Sequence, residues 1–386
     1  MKISLSQITS LCLLFAVFSC GRNSEKVAHP DNFSFELVDS IQVDFLGEMK
    51  LIDYDAKEDK YLLTTDFTEK YLEIDSEGNI LREKDFTTDA KDAVGFVLGS
   101  GYLEGEVIIL SETKGFLLYQ DGNRIGEITV PYKFVPYMIY PKLGAFKYGN
   151  RLYYPKPMPE SLYSLGQEGG KFYSEMYHRP FIEGQDLTSG DTLSALSLPQ
   201  TSDILDGQMH GMLFPVVSDM ENLVLLGTWV EPKIYVYKKV NGDIVYDKTV
   251  RIAIPDWVAY TPAELEDREG FYTQNYKRTN GGLVDILQVE DYYVAIYNKG
   301  IEENRMPEPD EDRDKYNLAI KMKNPFYAAI FDQDFKQLAV NIPFPATSAA
   351  PRVVNRKGEI VVSKDASLSE TEDDWIILYK VKLQVE

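Results

Sequence analysis

Two kinds of short apolar run alternate along the chain, and this recurrence narrows the available folds more than any other feature. The first kind reads YLLTTD from Tyr61, VIILSE from Val107, LYYPKP from Leu152, LVLLGT from Leu223, YYVAIYN from Tyr292 and IVVSKD from Ile360. The second kind follows each of them as YLEID, FLLYQD, SLYSLGQ, IYVYKK, FYAAIFD and WIILYKV. Runs of this length, rich in Tyr, Ile and Val and bounded by Gly, Asn and Asp, read as strands. Four of the second runs enter a hairpin turn: SEGN at Ser76, QDGN at Gln120, QEGG at Gln167 and VNGD at Val240. Gly and Asn suit such turns because both accept the positive φ that a tight connection needs.

Successive first runs lie about 45 residues apart early and about 70 later, which describes a repeated unit carrying insertions. Six antiparallel modules of about four strands predict an all-β, six-bladed propeller, in which radial repetition leaves only short sheet edges. The ends agree with this. The run FSFELVDSIQV from Phe33 precedes the first module, whereas the sixth module ends at WIILYKVKLQ without an outer strand, so the N-terminal strand is expected to close the last blade. Two β-sandwich domains of seven strands each are the alternative.

Composition decides which functions are open. With 40 Lys plus Arg against 61 Asp plus Glu, the 386-residue chain carries a net charge of -21, the wrong sign for binding nucleic acid or anionic lipid surfaces. Being 44% hydrophobic and 12% aromatic, it has the apolar content for a folded core. The 26 Tyr favour strands, while 3 His and 2 Cys leave little for imidazole or thiolate chemistry.

The N-terminus has Lys2, an apolar stretch from Leu11 to Phe18, then Ser19 and Cys20. That stretch is too short to cross a bilayer and fits a signal peptide. Val17-Phe18-Ser19-Cys20 resembles the lipobox of bacterial lipoproteins, with Phe18 where a small or aliphatic residue is usual. The resemblance implies a signal peptide over 1–19, lipidation of Cys20 and a tether over 20–32, ahead of the propeller expected over 33–386. Cys12 leaves with the signal and Cys20 is acylated, so no thiol remains for a disulfide. Gly21 after the Cys implies sorting to the outer membrane, with the leaflet open. Acyl chains contribute about 0.8 kcal/mol per buried CH2, so such an anchor needs no basic patch. Lipobox, tether and six irregular tyrosine-rich modules together resemble uncharacterised Bacteroidetes lipoproteins with a TolB-like six-bladed propeller. That family implies a fold and an export route but no reaction.

In a propeller the B-to-C and D-to-A connections of every blade emerge on one face. The long segments His178 to His210, Pro255 to Gly282 and Lys299 to Pro325 are therefore expected together, opposite a flat face of tight turns. The candidate ligand-binding residues they carry are Trp257, Tyr260, Tyr276, Arg278, His178, Arg179 and His210, joined by Tyr132 and Tyr137 from the Pro131 to Lys142 stretch. Aromatic faces beside Arg and Asn suit a sugar ring or a partner peptide, and equally suit packing of the loops themselves. Thr261-Pro262-Ala263-Glu264 reads as a helix start.

No CxxC, Walker loop or GxSxG motif is present, and Ser111 to Lys114 matches SxxK only within a hairpin. Gly99-Ser100-Gly101 reads as a turn before a strand. Asp310, Asp312 and Asp314 alternate as in a calcium loop but lack its Gly and closing Glu, so a solvated charged loop is the competing reading and no cofactor is expected beyond that Ca2+ candidate. The leading expectation is an outer-membrane-tethered propeller binding a protein or glycan partner through its loop-rich face. The alternatives are a hydrolase or lyase acting on glycans or lactones with carboxylates in the channel, and a subunit of an envelope complex.

Overall fold

Strands whose two faces are both apolar must be covered on both sides, and the repeated runs are of this kind: Lys60–Thr64 (KYLLT) is buried at every position. The computed structural model, which describes residues 32–65, 68–86, 94–166, 169–368 and 374–386, meets that demand with six four-stranded antiparallel sheets arranged radially. The signal peptide, Cys20 and all but the last residue of the tether lie outside the described residues.

From the axis outward, strands A to D of blade 1 are Lys50–Asp55, Lys60–Thr64, Lys70–Asp75 and Ile80–Asp85. Blade 2 follows with Val97–Leu103, Glu106–Ser111, Gly115–Gln120 and Asn123–Ile128. Blade 3 has Phe146–Tyr148, Arg151–Pro155, Ile182–Asp186 and Thr192–Leu196, and blade 4 has Pro215–Asp219, Leu223–Thr228, Glu231–Val240 and Asp243–Arg251. Blade 5 comprises Gly282–Val289, Tyr292–Asn298, Tyr327–Phe331 and Gln337–Pro343. Blade 6 takes Val353–Val354, Ile360–Ser363 and Ile376–Val385 from the C-terminus and its outer strand, Phe33–Val43, from the N-terminus. Phe33 pairs with Val385 and Val43 with Ile376, so the ring is closed by the strand expected to close it.

The core is divided into six apolar clusters, one between each pair of neighbouring blades. Blade 1 shows how alternation serves this arrangement. Its Leu63 and Leu72 face blade 6 beside Val43 and Leu378, while Leu62 and Tyr71 face blade 2 beside Val107 and Tyr119. Many tyrosines fill these interfaces, and several hydroxyls meet a buried glutamate: Tyr154 donates to Glu183 at 2.7 Å, Tyr102 to Glu73 at 3.2 Å, and Tyr235 to Glu231. Lys156 and Lys60 pair with the first two of these carboxylates at 3.1 and 2.9 Å. These three tyrosines therefore contribute apolar area to an interface and a donor to a carboxylate the interface encloses.

Blade 3 departs from the sequence expectation. SLYSLGQ is no strand: Glu160–Tyr163 is a helical turn, and Gly170 of QEGG opens the helix Gly170–His178. Phe172, Tyr173, Met176 and Tyr177 share the buried face of that helix. The true strand C, IEGQD, was hidden by its polarity, because Glu183 and Gln185 are buried and Gly184 sits under the Tyr153 ring, where a Cβ would come within 2.8 Å. His178 to His210 is accordingly not one connection, since it contains strands C and D. Thr261 starts no helix either. Its N–H binds the Asn275 side chain at 2.9 Å, Ala263–Glu264 pairs with Gln208–Met209, and the helix Arg268–Asn275 begins at Asp267, whose carboxylate accepts from Gly270 N–H at 2.9 Å.

The one-sided distribution of insertions holds. The B-to-C connections 156–181 and 299–326 and the D-to-A connections 129–145, 197–214 and 252–281 all leave the same end of their strands. The A-to-B and C-to-D turns on the other face are short, as at 104–105, 121–122, 241–242 and 290–291. No helix among the described residues is long and apolar enough to cross a membrane.

Candidate functional site: the funnel and the axial ion pairs

The inner strands of blades 1 and 5 share a local device. Each has a bulge, between Leu51 and Asp53 and between Leu283 and Asp285, followed by an aspartate whose Oδ1 accepts the next backbone N–H, from Tyr54 at 2.9 Å and from Ile286 at 2.8 Å. A bulge re-aims the side chain that follows it, and here it brings both carboxylates to the channel. Gly101 leaves room for the first: a Cβ there would lie 3.1 Å from Asp53 Oδ2, the atom that accepts from Tyr102 N–H at 2.8 Å. Gly99-Ser100-Gly101 thus belongs to strand A of blade 2, correcting its reading as a turn.

Two cations answer the two acids. The blade 2–3 connection runs along strand A of blade 2 through Tyr140 N–H to Leu98 O at 2.6 Å and Leu143 N–H to Ser100 O at 2.8 Å, which carries Lys142 Nζ to 2.8 Å from Asp53. Arg352, just ahead of strand A of blade 6, donates through Nη1 to Val284 O at 3.2 Å and approaches Asp285 at 3.7 Å. Burial pushes the Asp285 carboxyl above its ordinary range against the pull of Arg352 and Lys142. Burial also lowers the Lys142 ammonium, but Asp53 and Asp285 outweigh it and its pKa is raised. Lys142 keeps 31% of its side-chain surface accessible, within the cavity that opens on the flat face.

Above these pairs, on the loop-rich face, opens a funnel of about 700 Å³. Its wall draws Thr64 and Ile52 from blade 1, Ser100 from blade 2, Trp229 from blade 4, Asn298 from blade 5 and Ser363 from blade 6. Tyr140 and Pro141 enter from the blade 2–3 connection, and Asn324 and Phe326 from the blade 5 insertion. Trp229 lies on bare backbone, since a Cβ on Gly282 would come within 2.6 Å of its indole. Ser363 Oγ accepts from Leu51 N–H at 3.0 Å and ties blades 6 and 1 together at the wall. A second cavity of about 410 Å³ opens on the flat face and is lined by Asp53, Lys142, Ser218 and Asp285; Arg352 lines both cavities.

None of the nine binding candidates read from the sequence lines the funnel. Most build a lobe over blades 3 and 4. Tyr260 stacks on Phe271 at 6.1 Å, and Tyr137 packs on Phe172 at 5.8 Å and donates to Met212 Sδ at 2.8 Å. Tyr132 lies under Lys156 Nζ at 5.5 Å, and Arg179 donates to Lys156 O at 2.7 Å. His210 meets Asp206 at 2.9 Å, and Arg278 donates to Thr261 Oγ1. Trp257 stands edge-on to Tyr297 at 6.4 Å, and His178 Nδ1 lies 2.8 Å from the Ser174 carbonyl on the surface. Tyr276, leaning on Tyr272, is 78% exposed. Asp312 caps the helix Arg313–Lys323 by accepting from Asp314 and Lys315 N–H, and Asp310 accepts from Asp312 N–H at 2.9 Å. Among the described residues no group of three or more His, Cys, Asp or Glu is placed to hold a metal ion.

Sequence reasoning missed Asp53, Lys142, Asp285 and Arg352. The one available signal was the repetition of Leu51-Ile52-Asp53 as Leu283-Val284-Asp285 ahead of two of the recurring runs.

The fold and the axial site define a six-bladed β-propeller with a closed outer strand and an open, loop-rich mouth. No protein-family profile matches the chain, and no curated protein matches it. Among solved structures it is similar to a member of the DUF4221 family from Bacteroides vulgatus, with a TM-score of 0.66 and 11% identity over 93% of this chain and 100% of that one. It is also similar to a Bacteroides fragilis protein proposed to be exported, with a TM-score of 0.50 and 9% identity over 93% of this chain and 97% of that one. At such identities the likeness speaks for the fold.

Proposed function

We propose that this protein is a lipid-anchored binding protein of the cell envelope whose funnel takes a segment of a glycan. The observation that carries the reading is the funnel itself. Its volume of about 700 Å³ suits a small or oligomeric ligand, whereas a protein partner would need about 800 Å² of complementary surface. Trp229 offers a ring face, and Thr64, Ser100, Asn298 and Asn324 place polar side chains around it. A hydrolase or lyase is the weaker reading, because the axial carboxylates Asp53 and Asp285 line the flat-face cavity and not the funnel.

On a glycan array the protein is expected to bind a limited set of oligosaccharides, and Trp229→Ala to weaken that binding about tenfold, about 1.4 kcal/mol, by calorimetry. An array without a bound glycan, or binding indifferent to Trp229, overturns the reading. The envelope assignment rests on the Val17 to Cys20 lipobox and accords with the export proposed for the similar B. fragilis protein. Cys20→Ser is expected to move the protein out of the membrane fraction and abolish labelling by a radioactive fatty acid; retention of both in the variant rejects the anchor.

A further inference from the structure

The two ends of the channel differ in their lining. Among described residues the funnel wall holds Arg352 and the ion pair of Lys321 with Asp365 at 2.9 Å, together with Lys50, Lys364 and Glu48. The flat-face cavity has five acidic groups against Lys142 and Arg352. An anion entering by the flat face therefore meets carboxylates first, whereas the funnel leads to Arg352.

At the junction of the cavities stands Arg352. Its hydrogen bond to Val284 O and its long approach to Asp285 both use Nη1, which leaves Nη2 and Nε without a hydrogen bond among the described residues. Neither atom is sealed off in apolar surroundings, and the residue lines the funnel. A guanidinium presents a planar fork that matches a carboxylate or sulfate in two parallel hydrogen bonds, and removal from bulk water strengthens the attraction. Burial holds Arg352 below its usual pKa, with Asp285 offsetting this only in part, the condition in which a further anion is most favourable.

We infer that the funnel selects acidic saccharides, with the carboxylate or sulfate of the inserted residue held on Arg352. This rests on the glycan reading above and deepens it. The test compares uronate- and sulfate-bearing oligosaccharides with neutral ones of equal length on one array, followed by calorimetry of the best members against the full-length protein. Acidic members are expected to bind at least tenfold more tightly than neutral ones and to weaken as salt is raised. Arg352→Gln should abolish that preference by weakening acidic members more than neutral ones, and Arg352→Lys should restore part of it. Because Arg352→Lys keeps a cation beside Asp285 but not the planar fork, a preference reduced about twofold to threefold in that variant keeps the inference testable should Arg352→Gln fail to fold. Equal binding of neutral and acidic members, or a preference that survives Arg352→Gln, overturns the inference and leaves the glycan reading standing. Absence of any bound saccharide overturns both.

Discussion

Deleting residues 32–43 is expected to leave a chain that no longer unfolds cooperatively. The strand Phe33–Val43 is the outer edge of blade 6 and pairs along its length with Ile376–Val385. It also brings Ile41 and Val43 into the cluster between blades 6 and 1, and Phe33 and Phe35 against the cluster between blades 5 and 6. Fully burying a side chain of this size is worth about 1.5–3 kcal/mol, so Ile41 and Val43 with the partly buried Phe33 and Phe35 reach the lower part of the net stability of a typical domain, about 5–15 kcal/mol. A propeller is more sensitive than an open sheet because this strand is also the latch between the chain ends. The measurement is chemical denaturation followed by far-ultraviolet circular dichroism. A sigmoidal transition within a few tenths of a molar of wild type would refute the latch. Addition of a peptide spanning 32–43 is expected to restore the transition, as edge-strand addition does elsewhere.

The second large effect is expected at the axis. Lys142→Met should cost about 2–3 kcal/mol, below the 3–5 kcal/mol typical of a fully buried pair because Lys142 retains some contact with solvent in the channel. The loss arises because Asp53 and Asp285 stay enclosed with Arg352 as their single axial cation. The double variant Asp53→Asn/Lys142→Met removes one carboxylate along with its partner and is expected to recover about half of the deficit. The sign of the pH dependence is fixed by the direction of the shift. Lys142 is held above the ordinary 10.5, so its contribution is full below that pH and fades as pH rises through the higher folded value. The stability gap between wild type and Lys142→Met should therefore be flat across neutral pH and close only in strong base. A gap that widens with pH would contradict the assignment.

These two regions differ in how far the sequence disclosed them. The latch was legible because it follows from local facts: an apolar run before the first module, a missing strand after the last, and turn residues at fixed places between. Strands B and C were legible for the same reason, since burial on both faces writes a continuous apolar run such as VIILS. Blade 3 was not, because Glu183 and Gln185 in its strand C are polar residues satisfied by partners far along the chain, among them Lys156 and the carbonyl of Thr129. The aromatic loops were legible as aromatic, but whether a ring binds or packs depends on what covers it. Phe271 under Tyr260 lies on a helix further along the same connection, Phe172 beside Tyr137 lies on another one, and both decide for packing.

By itself the sequence determined a radial all-β architecture with its closing strand and the face on which its insertions emerge, because hydrophobic period and turn chemistry act over a few residues. Only the tertiary structure decided the site. Asp53, Lys142, Asp285 and Arg352 come from four separate parts of the chain and meet because inner strands and their connections converge on one axis. The lining of the funnel is likewise drawn from loops and strand ends distant in sequence, which no local pattern of residues records.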